Sequence, residues 1–299
     1  MRLVAEEDFA TFLKSRRSVS IANHMIQLGN SRGATDFAPP REYSLENDTV
    51  WSFPNRGTWA THDGKYRGNW SPYIPRNLIV KFTNFGDLVL DQMVGSGTTL
   101  VECKLLGRNA VGVDINKDAI MITRDRLNFA IPESQKPHQE PRILTYVGDA
   151  RNLDLIESDS VDLVATHPPY AGIIAYGGDG ATEDLSHLRF EDYISAMEQV
   201  ARESYRVLKP GKVCAILIGD TRKHLHYIPI SVRILVSFLK ANFILKEDII
   251  KIQHHTEASR DTWRAKYYDF YKIAHEHLFV FRKPMANEKL SDYKYSQKW

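Results

Sequence analysis

This chain of 299 residues predicts an α/β fold built on a mostly parallel sheet, and three features predict it. From about Leu78 to Lys283, short apolar runs alternate with longer stretches of helical period, as βαβ units require. A glycine-rich turn joins the first run to the first helix. Acidic residues close three successive runs, which is where an open parallel sheet presents groups to a ligand.

Seven strands are expected in order: Leu88–Asp91, Ala110–Asp114, Ile143–Val147, Val161–Ala165, Val213–Ile218, Phe243–Ile252 and His277–Phe281. Each is a run rich in Val, Ile, Leu or Phe and short enough to be a buried strand. Helices are expected over Thr98–Leu106, Asn116–Phe129, Glu191–Leu208 and Ile228–Ala241. The third has the clearest pattern, because Ile194, Met197, Ala201, Ser204 and Leu208 share one face and Lys209-Pro210-Gly211 stops it. Residues 58–283 form the expected core domain. Residues 1–57 are polar, of balanced charge and without a strand series. Residues 284–299 are a polar tail. Ala171 to Leu188 is a glycine-rich stretch too long for a simple connection, which points to a functional loop.

The composition, 43% apolar and 25% charged, is that of a soluble globular protein. A net charge of +2 selects no partner, so any nucleic-acid surface must be local. Cys103 and Cys214 lie far apart in apolar segments and suit a reducing compartment. With no apolar run long enough to span a membrane and no signal-peptide pattern at Met1 to Asp8, the expected location is cytoplasmic, away from membranes. The histidines at 254, 255, 275 and 277 lack zinc-ligand spacing, and no metal site is expected.

The segment Leu88-Val89-Leu90-Asp91-Gln92-Met93-Val94-Gly95-Ser96-Gly97-Thr98-Thr99 reads as strand, loop, helix. Its glycines permit a sharp turn and close approach to a ligand, and the helix start offers free N–H groups. No Lys-Ser/Thr pair follows, so it is not a phosphate-binding P-loop, and a third glycine for a dinucleotide fingerprint is missing. Asp114 ends the second strand, where a carboxylate accepts from ribose hydroxyls, and Asp149 ends the third, facing an exocyclic amine. Together with Asp91 they converge on one crevice. After the fourth strand stands His167-Pro168-Pro169-Tyr170. Two prolines fix the backbone as extended and remove two donors, the ring of Tyr170 offers a stacking surface, and His167 offers a hydrogen bond to a ligand edge.

The glycine loop followed at the fourth strand by His-Pro-Pro-Tyr resembles the S-adenosylmethionine-dependent methyltransferases that modify exocyclic amino groups of DNA bases, over roughly Tyr66 to Lys283. The resemblance implies a class I methyltransferase fold: a Rossmann-like, seven-stranded, mostly parallel sheet with helices on both faces and a reversed last hairpin. It further implies that Gly95, Ser96 and Gly97 line the cofactor, with Thr98 and Thr99 at its methionine end. Asp114 and Ile115 would meet its ribose, and Asp149 and Ala150 its adenine. Asn69 and Ser71 stand in what looks like the family's amino-terminal cofactor motif. His167 departs from the Asp, Asn or Ser that usually opens the proline motif, and Gln92-Met93 replaces the commoner Pro-Phe. Thr166 and Ile218-Gly219-Asp220 look like the cytosine-N4 branch, which is slightly favoured over adenine N6. No Pro-Cys dipeptide exists for carbon-5 chemistry.

The chemistry such a site must perform is methylation of an amine whose lone pair is delocalised into the base. The Pro168 carbonyl and a neutral His167 ring nitrogen would accept its two N–H groups and aim the lone pair. Pro169 stiffens this end, and Tyr170 would stack on the flipped base. Arg260, Trp263, Arg264 and Lys266 interleave basic and aromatic residues between the last two strands, and Tyr176 stands in the glycine-rich loop; both are expected DNA contacts near 253–275 and 171–190. Residues 1–57 would add a DNA-contact or dimer surface. The expected partners are double-stranded DNA and a cognate restriction endonuclease, with the chain acting as monomer or homodimer. Two other readings stand beside this one, an RNA guanine-N2 methyltransferase and a catalytically inactive cofactor-binding subunit.

Overall fold

The computed structural model describes residues 1–21, 24–29, 36–66, 68–170, 185–254 and 269–297. The seven expected strands form the centre of one sheet. In chain order they are β5 (Leu88–Asp91), β6 (Asn109–Asp114), β7 (Ile143–Val147), β8 (Val161–Thr166), β9 (Leu208–Gly219), β12 (Ile244–Ile252) and β13 (His275–Arg282). Their spatial order is β7-β6-β5-β8-β9-β13-β12. The first five run parallel, while β13 inserts between β9 and β12 and is antiparallel to both. This is the reversed last hairpin of the class I methyltransferase fold.

The sheet is wider than seven strands. β1 (Arg2–Leu3) pairs antiparallel with β7 at one edge, and β4 (Val50–Ser52) pairs parallel with β12 at the other. The segment 1–57 thus supplies both edges of the sheet. It also forms α1 (Glu6–Ser15), opened by Asp8 accepting from the Ala5 N–H at 2.9 Å, and the separate hairpin of β2 (Ser18–Ile21) and β3 (His24–Gln27).

The helices are α2 (Tyr73–Phe82), α3 (Thr98–Leu106), α4 (Lys117–Leu127), α5 (Phe190–Val207) and α6 (Ile230–Lys240). Two differences from expectation have local causes. Lys209-Pro210-Gly211 lies within β9, because Gly211, at φ 79°, bonds to the Lys283 carbonyl and keeps the strand paired there. The expected fourth helix starts two residues later, at Ile230. A short hairpin, β10 (Thr221–Lys223) and β11 (His226–Ile228), fills the gap.

Two apolar layers enclose the sheet. On one face Ile74, Leu78 and Ile79 of α2 pack with Leu100 and Val101 of α3 and Ile120 of α4. On the other, Tyr193, Met197 and Val200 of α5 pack with Ile234 and Phe238 of α6. Cys103 and Cys214 are buried free thiols. No described helix is long and apolar enough to cross a membrane.

Candidate active site

A crevice enclosing about 800 Å3, its open mouth included, lies at the carboxyl ends of β5, β6, β7 and β8. Its floor is the glycine loop, and the chain closes this loop with its own acids. Asp91 is buried; its Oδ2 accepts from the Thr99 hydroxyl at 2.5 Å and its Oδ1 from the Thr166 hydroxyl at 3.0 Å. Burial pushes the Asp91 carboxyl up to about 6 against the hydrogen bonds of Thr99, Thr166 and Met93, which favour the charged form. Asp114 accepts from the Gly95 N–H at 2.8 Å and the Asn116 N–H at 2.9 Å, tying the loop to the start of α4. Gly97 sits at φ 84°, and a Cβ there would come within 2.9 Å of Thr123 Cγ2, so only glycine fits. Asp149 is held by Arg151, whose Nε donates to Oδ2 at 2.8 Å.

The wall opposite the sheet is the turn that precedes α2. Tyr66, Gly68, Asn69 and Trp70 line the crevice. Asn69 Nδ2 donates to Ser96 Oγ at 3.1 Å, and Arg56 clamps the Asn69 and Trp70 carbonyls at 3.0 and 2.6 Å. Behind it, Glu102 of α3 is fully buried and accepts from Trp59 Nε1, His62 Nε2 and Arg76 at 2.7 to 2.8 Å. Burial alone would raise the Glu102 carboxyl, but His62 and Arg76 outweigh it and hold the group below its ordinary value.

The third wall is the end of β8. The His167 ring stacks against Trp70, centroids 6.0 Å apart and 23° between planes. Its Nε2 lies 2.9 Å from the Tyr170 hydroxyl, which donates to Glu276 Oε1 at 2.6 Å. Glu276 Oε2 in turn accepts from Lys251 Nζ at 2.8 Å. Burial pushes the His167 ring down to about 4, so it is neutral at physiological pH.

The crevice is lined by ten of the sequence-predicted site residues: Asn69, Asp91, Gly95, Thr98, Asp114, Ile115, Asp149, Ala150, His167 and Pro169. Ser96, Gly97, Thr99, Pro168 and Tyr170 stand beside it, in the loop, helix and strand end that shape it. Ser71 turns away, its hydroxyl donating to the Arg56 carbonyl at 2.8 Å, because the turn folds that side chain inward. Tyr176, Arg260, Trp263, Arg264 and Lys266 lie outside the described residues. Sequence reasoning missed Tyr66, Trp70, Met93 and Leu185 as lining groups, and Glu276 and Lys251 as partners of the proline motif. The Trp next to Asn69 was the one readable signal among them. Four lining side chains carry buried polar atoms without a hydrogen-bond partner among the described residues: Asn69 Oδ1, Gln92 Oε1, Thr98 Oγ1 and His167 Nδ1. Such atoms are what a polar ligand satisfies. No cluster of metal-ligating side chains occurs among the described residues.

The architecture and the crevice are those of a class I methyltransferase fold. Residues 13–125 and 161–299 match the N6/N4 methyltransferase model, described as DNA methylase; the chain belongs to this family. It is 42% identical over 69 residues, 23% of its length, to the type II methyltransferase M2.DpnII of Streptococcus pneumoniae. It is 33% identical over 122 residues, 40% of its length, to a tRNA (guanine(10)-N2)-dimethyltransferase of Methanothermobacter thermautotrophicus. These alignments span only 25% and 33% of the two relatives. A solved protein of Thermus thermophilus, in complex with S-adenosylmethionine, is 27% identical over 48% of this chain and 56% of that one, with a TM-score of 0.34.

Proposed function

We propose that this chain moves a methyl group from S-adenosylmethionine to the exocyclic amino group of a flipped base in double-stranded DNA, at a specific sequence, with cytosine N4 as the target. The observation that carries this reading is the neutral His167 ring at a proline-stiffened strand end, its buried Nδ1 without a hydrogen-bond partner among the described residues, in the same crevice as three strand-end acids.

The cofactor fits the crevice by charge and by polar complement. S-adenosylmethionine supplies a methyl group already activated on a cationic sulfur. Asp91, Asp114 and Asp149 oppose that cation and its ammonium and hydroxyl groups, and Thr98 Oγ1 and Asn69 Oδ1 are open to it. In the transfer the amine lone pair forms the N–C bond, the C–S pair stays on sulfur, and one amine proton leaves. His167 Nδ1 and the Pro168 carbonyl accept from the amine N–H groups and localise the lone pair. His167 then takes the departing proton and releases it to solvent. Tyr170 holds the base by stacking.

DNA approaches from the carboxyl side of the sheet. There the β10–β11 hairpin exposes Lys223, His224, Leu225, His226 and Tyr227, a basic and aromatic tip suited to a duplex backbone. The segments holding Tyr176 and Arg260 to Lys266 are proposed to complete this surface. A restriction endonuclease cutting the same unmethylated sequence is the proposed partner in the cell.

Labelled methyl transfer to duplex DNA, followed by nucleoside mass spectrometry, tests the reading. N4-methylcytosine is expected, and His167→Ala and Tyr170→Ala should each abolish most transfer while cofactor binding survives. N6-methyladenine would correct the base. The likeness to the tRNA dimethyltransferase supports an RNA alternative, so transfer to tRNA with none to DNA would overturn the proposal.

A further inference from the structure

The side chains behind the proline motif form a directed hydrogen-bond chain, and its direction has a chemical consequence. Lys251 and Glu276 are cross-strand partners on β12 and β13, and Glu276 is paired in register with Gly219 at the end of β9. Glu276 is 6% exposed, and its Oε2 is taken by the Lys251 ammonium. A carboxylate only accepts, so the hydrogen bond at 2.6 Å to Oε1 uses the one hydroxyl proton of Tyr170. The Tyr170 oxygen can then only accept from His167 Nε2, 2.9 Å away. A neutral imidazole with its proton on Nε2 has a bare lone pair on Nδ1. That atom is buried and has no hydrogen-bond partner among the described residues.

We propose that Glu276, held by Lys251 and acting through Tyr170, fixes His167 as the Nε2–H tautomer, so that Nδ1 is the acceptor offered to an amine in the crevice. Glu276, Lys251 and Tyr170 are positioning residues in this arrangement. A further fixture is the Trp70 ring stacked on His167, which restrains the imidazole from flipping. The competing influence is the Gly68 backbone, which lies within weak hydrogen-bonding reach of the ring and favours its protonated form, the smallest of the influences on the ring; no bond of good geometry reaches Nδ1 from the described residues. The role given to Nδ1 rests on the methyl-transfer reading; the tautomer itself does not.

The substitution Glu276→Gln reverses the chain. A carboxamide has one oxygen, and Lys251, which has no acceptor atom, claims it. The amide N–H2 then donates to Tyr170, Tyr170 donates to His167 Nε2, and the ring proton moves to Nδ1. Tyr170→Phe removes the acceptor for Nε2–H altogether and leaves Gly68 to draw the proton to Nδ1.

The test is 15N–1H correlation of the histidine rings in the full-length protein at neutral pH, without DNA, with His167 assigned by loss of its signals in His167→Asn. The wild type is expected as Nε2–H, and Glu276→Gln and Tyr170→Phe as Nδ1–H or a mixture. A wild-type ring protonated on Nδ1 overturns the proposal, even if neither variant folds. An Nε2–H ring that persists in both folded variants also overturns it. In transfer assays Glu276→Gln is expected to lower kcat by about 100-fold with KM for DNA little changed. Lys251→Arg, which still leaves Oε1 free for Tyr170, should retain most activity. The expected tautomers without transfer to any nucleic acid would reject the methyl-transfer reading and leave the hydrogen-bond chain standing.

Discussion

The substitution Asp91→Asn should change how the protein's stability depends on pH, in a direction and by an amount the site defines. The Asp91 carboxyl is raised from 3.8 to about 6, chiefly by burial and against three hydrogen bonds. A carboxyl raised in the folded state binds its proton more tightly there than in the unfolded chain. Its contribution is therefore full at low pH and is lost as pH rises through the folded value. Between pH 5 and pH 8 the folded carboxyl goes from about nine-tenths protonated to ionised, while the unfolded one is ionised throughout. Integrating that difference gives a loss of about 1.4 kcal/mol in the native protein. The carboxamide of the variant does not titrate, so the stability of the variant minus that of the native protein should rise by about 1.4 kcal/mol over the same interval. Urea unfolding of both proteins at the two pH values measures this, and every other titration cancels in the difference. A difference that stays constant or falls with pH would refute the assignment of a buried, raised carboxyl. The same charge is the proposed partner of a cationic methyl donor, so Asp91→Asn should weaken S-adenosylmethionine binding, by calorimetry, even where the protein is more stable.

Gly97→Ala places a Cβ 2.9 Å from Thr123 Cγ2 at a φ of 84°. It should cost about 1–3 kcal/mol in urea unfolding and weaken cofactor binding, since the loop must shift. Glu102→Ala strips acceptors from Trp59, His62 and Arg76 at once and leaves the Arg76 guanidinium without its carboxylate. A loss of about 3–5 kcal/mol is expected, and a loss under about 1 kcal/mol would mean that the triad does not hold the crevice wall. Lys223→Ala, in the exposed hairpin, should weaken binding to DNA of any sequence and reduce the slope of log affinity against log salt by about one. An unchanged slope would remove the hairpin from the DNA surface.

The parts of the fold that could be read from the sequence are those whose sequence has one physical solution. β8 is buried along its whole length and β6 at its four central residues, and a run of such residues bounded by turns has nowhere to go but the middle of a sheet. The edge strands left no such mark. β1 has two residues, both exposed, and β4 has three with only Trp51 buried, so neither shows a period. The β10–β11 turn was hidden for another reason. His224 and Leu225 both take positive φ, at 50° and 67°, where a two-residue hairpin ordinarily signals itself with Asn or Gly. The glycine loop and the strand-end acids were readable because loop and acids are local to their own strand ends. The clamp of Arg56 on Asn69 and Trp70 was not, since it joins side chains to carbonyls 13 and 14 residues away.

Glu276 shows why a site can escape a correct reading of the fold. In an open parallel sheet, ligand groups are sought at the carboxyl ends of strands, and Asp91, Asp114, Asp149 and His167 are found that way. β13 runs the other way, so its amino end is the one at the crevice. Its register sets Glu276 opposite Gly219 on one side and Lys251 on the other, both near the ends of their strands. At the carboxyl end of β13, where the parallel rule points, Arg282 instead pairs with Glu288 at 2.6 Å on the opposite edge of the sheet. The reversal that looks like a detail of topology therefore decides which residue reaches Tyr170. A carboxylate at the first turn of a reversed strand becomes a candidate partner for the proline motif once the strand order, and not only the strand list, is known.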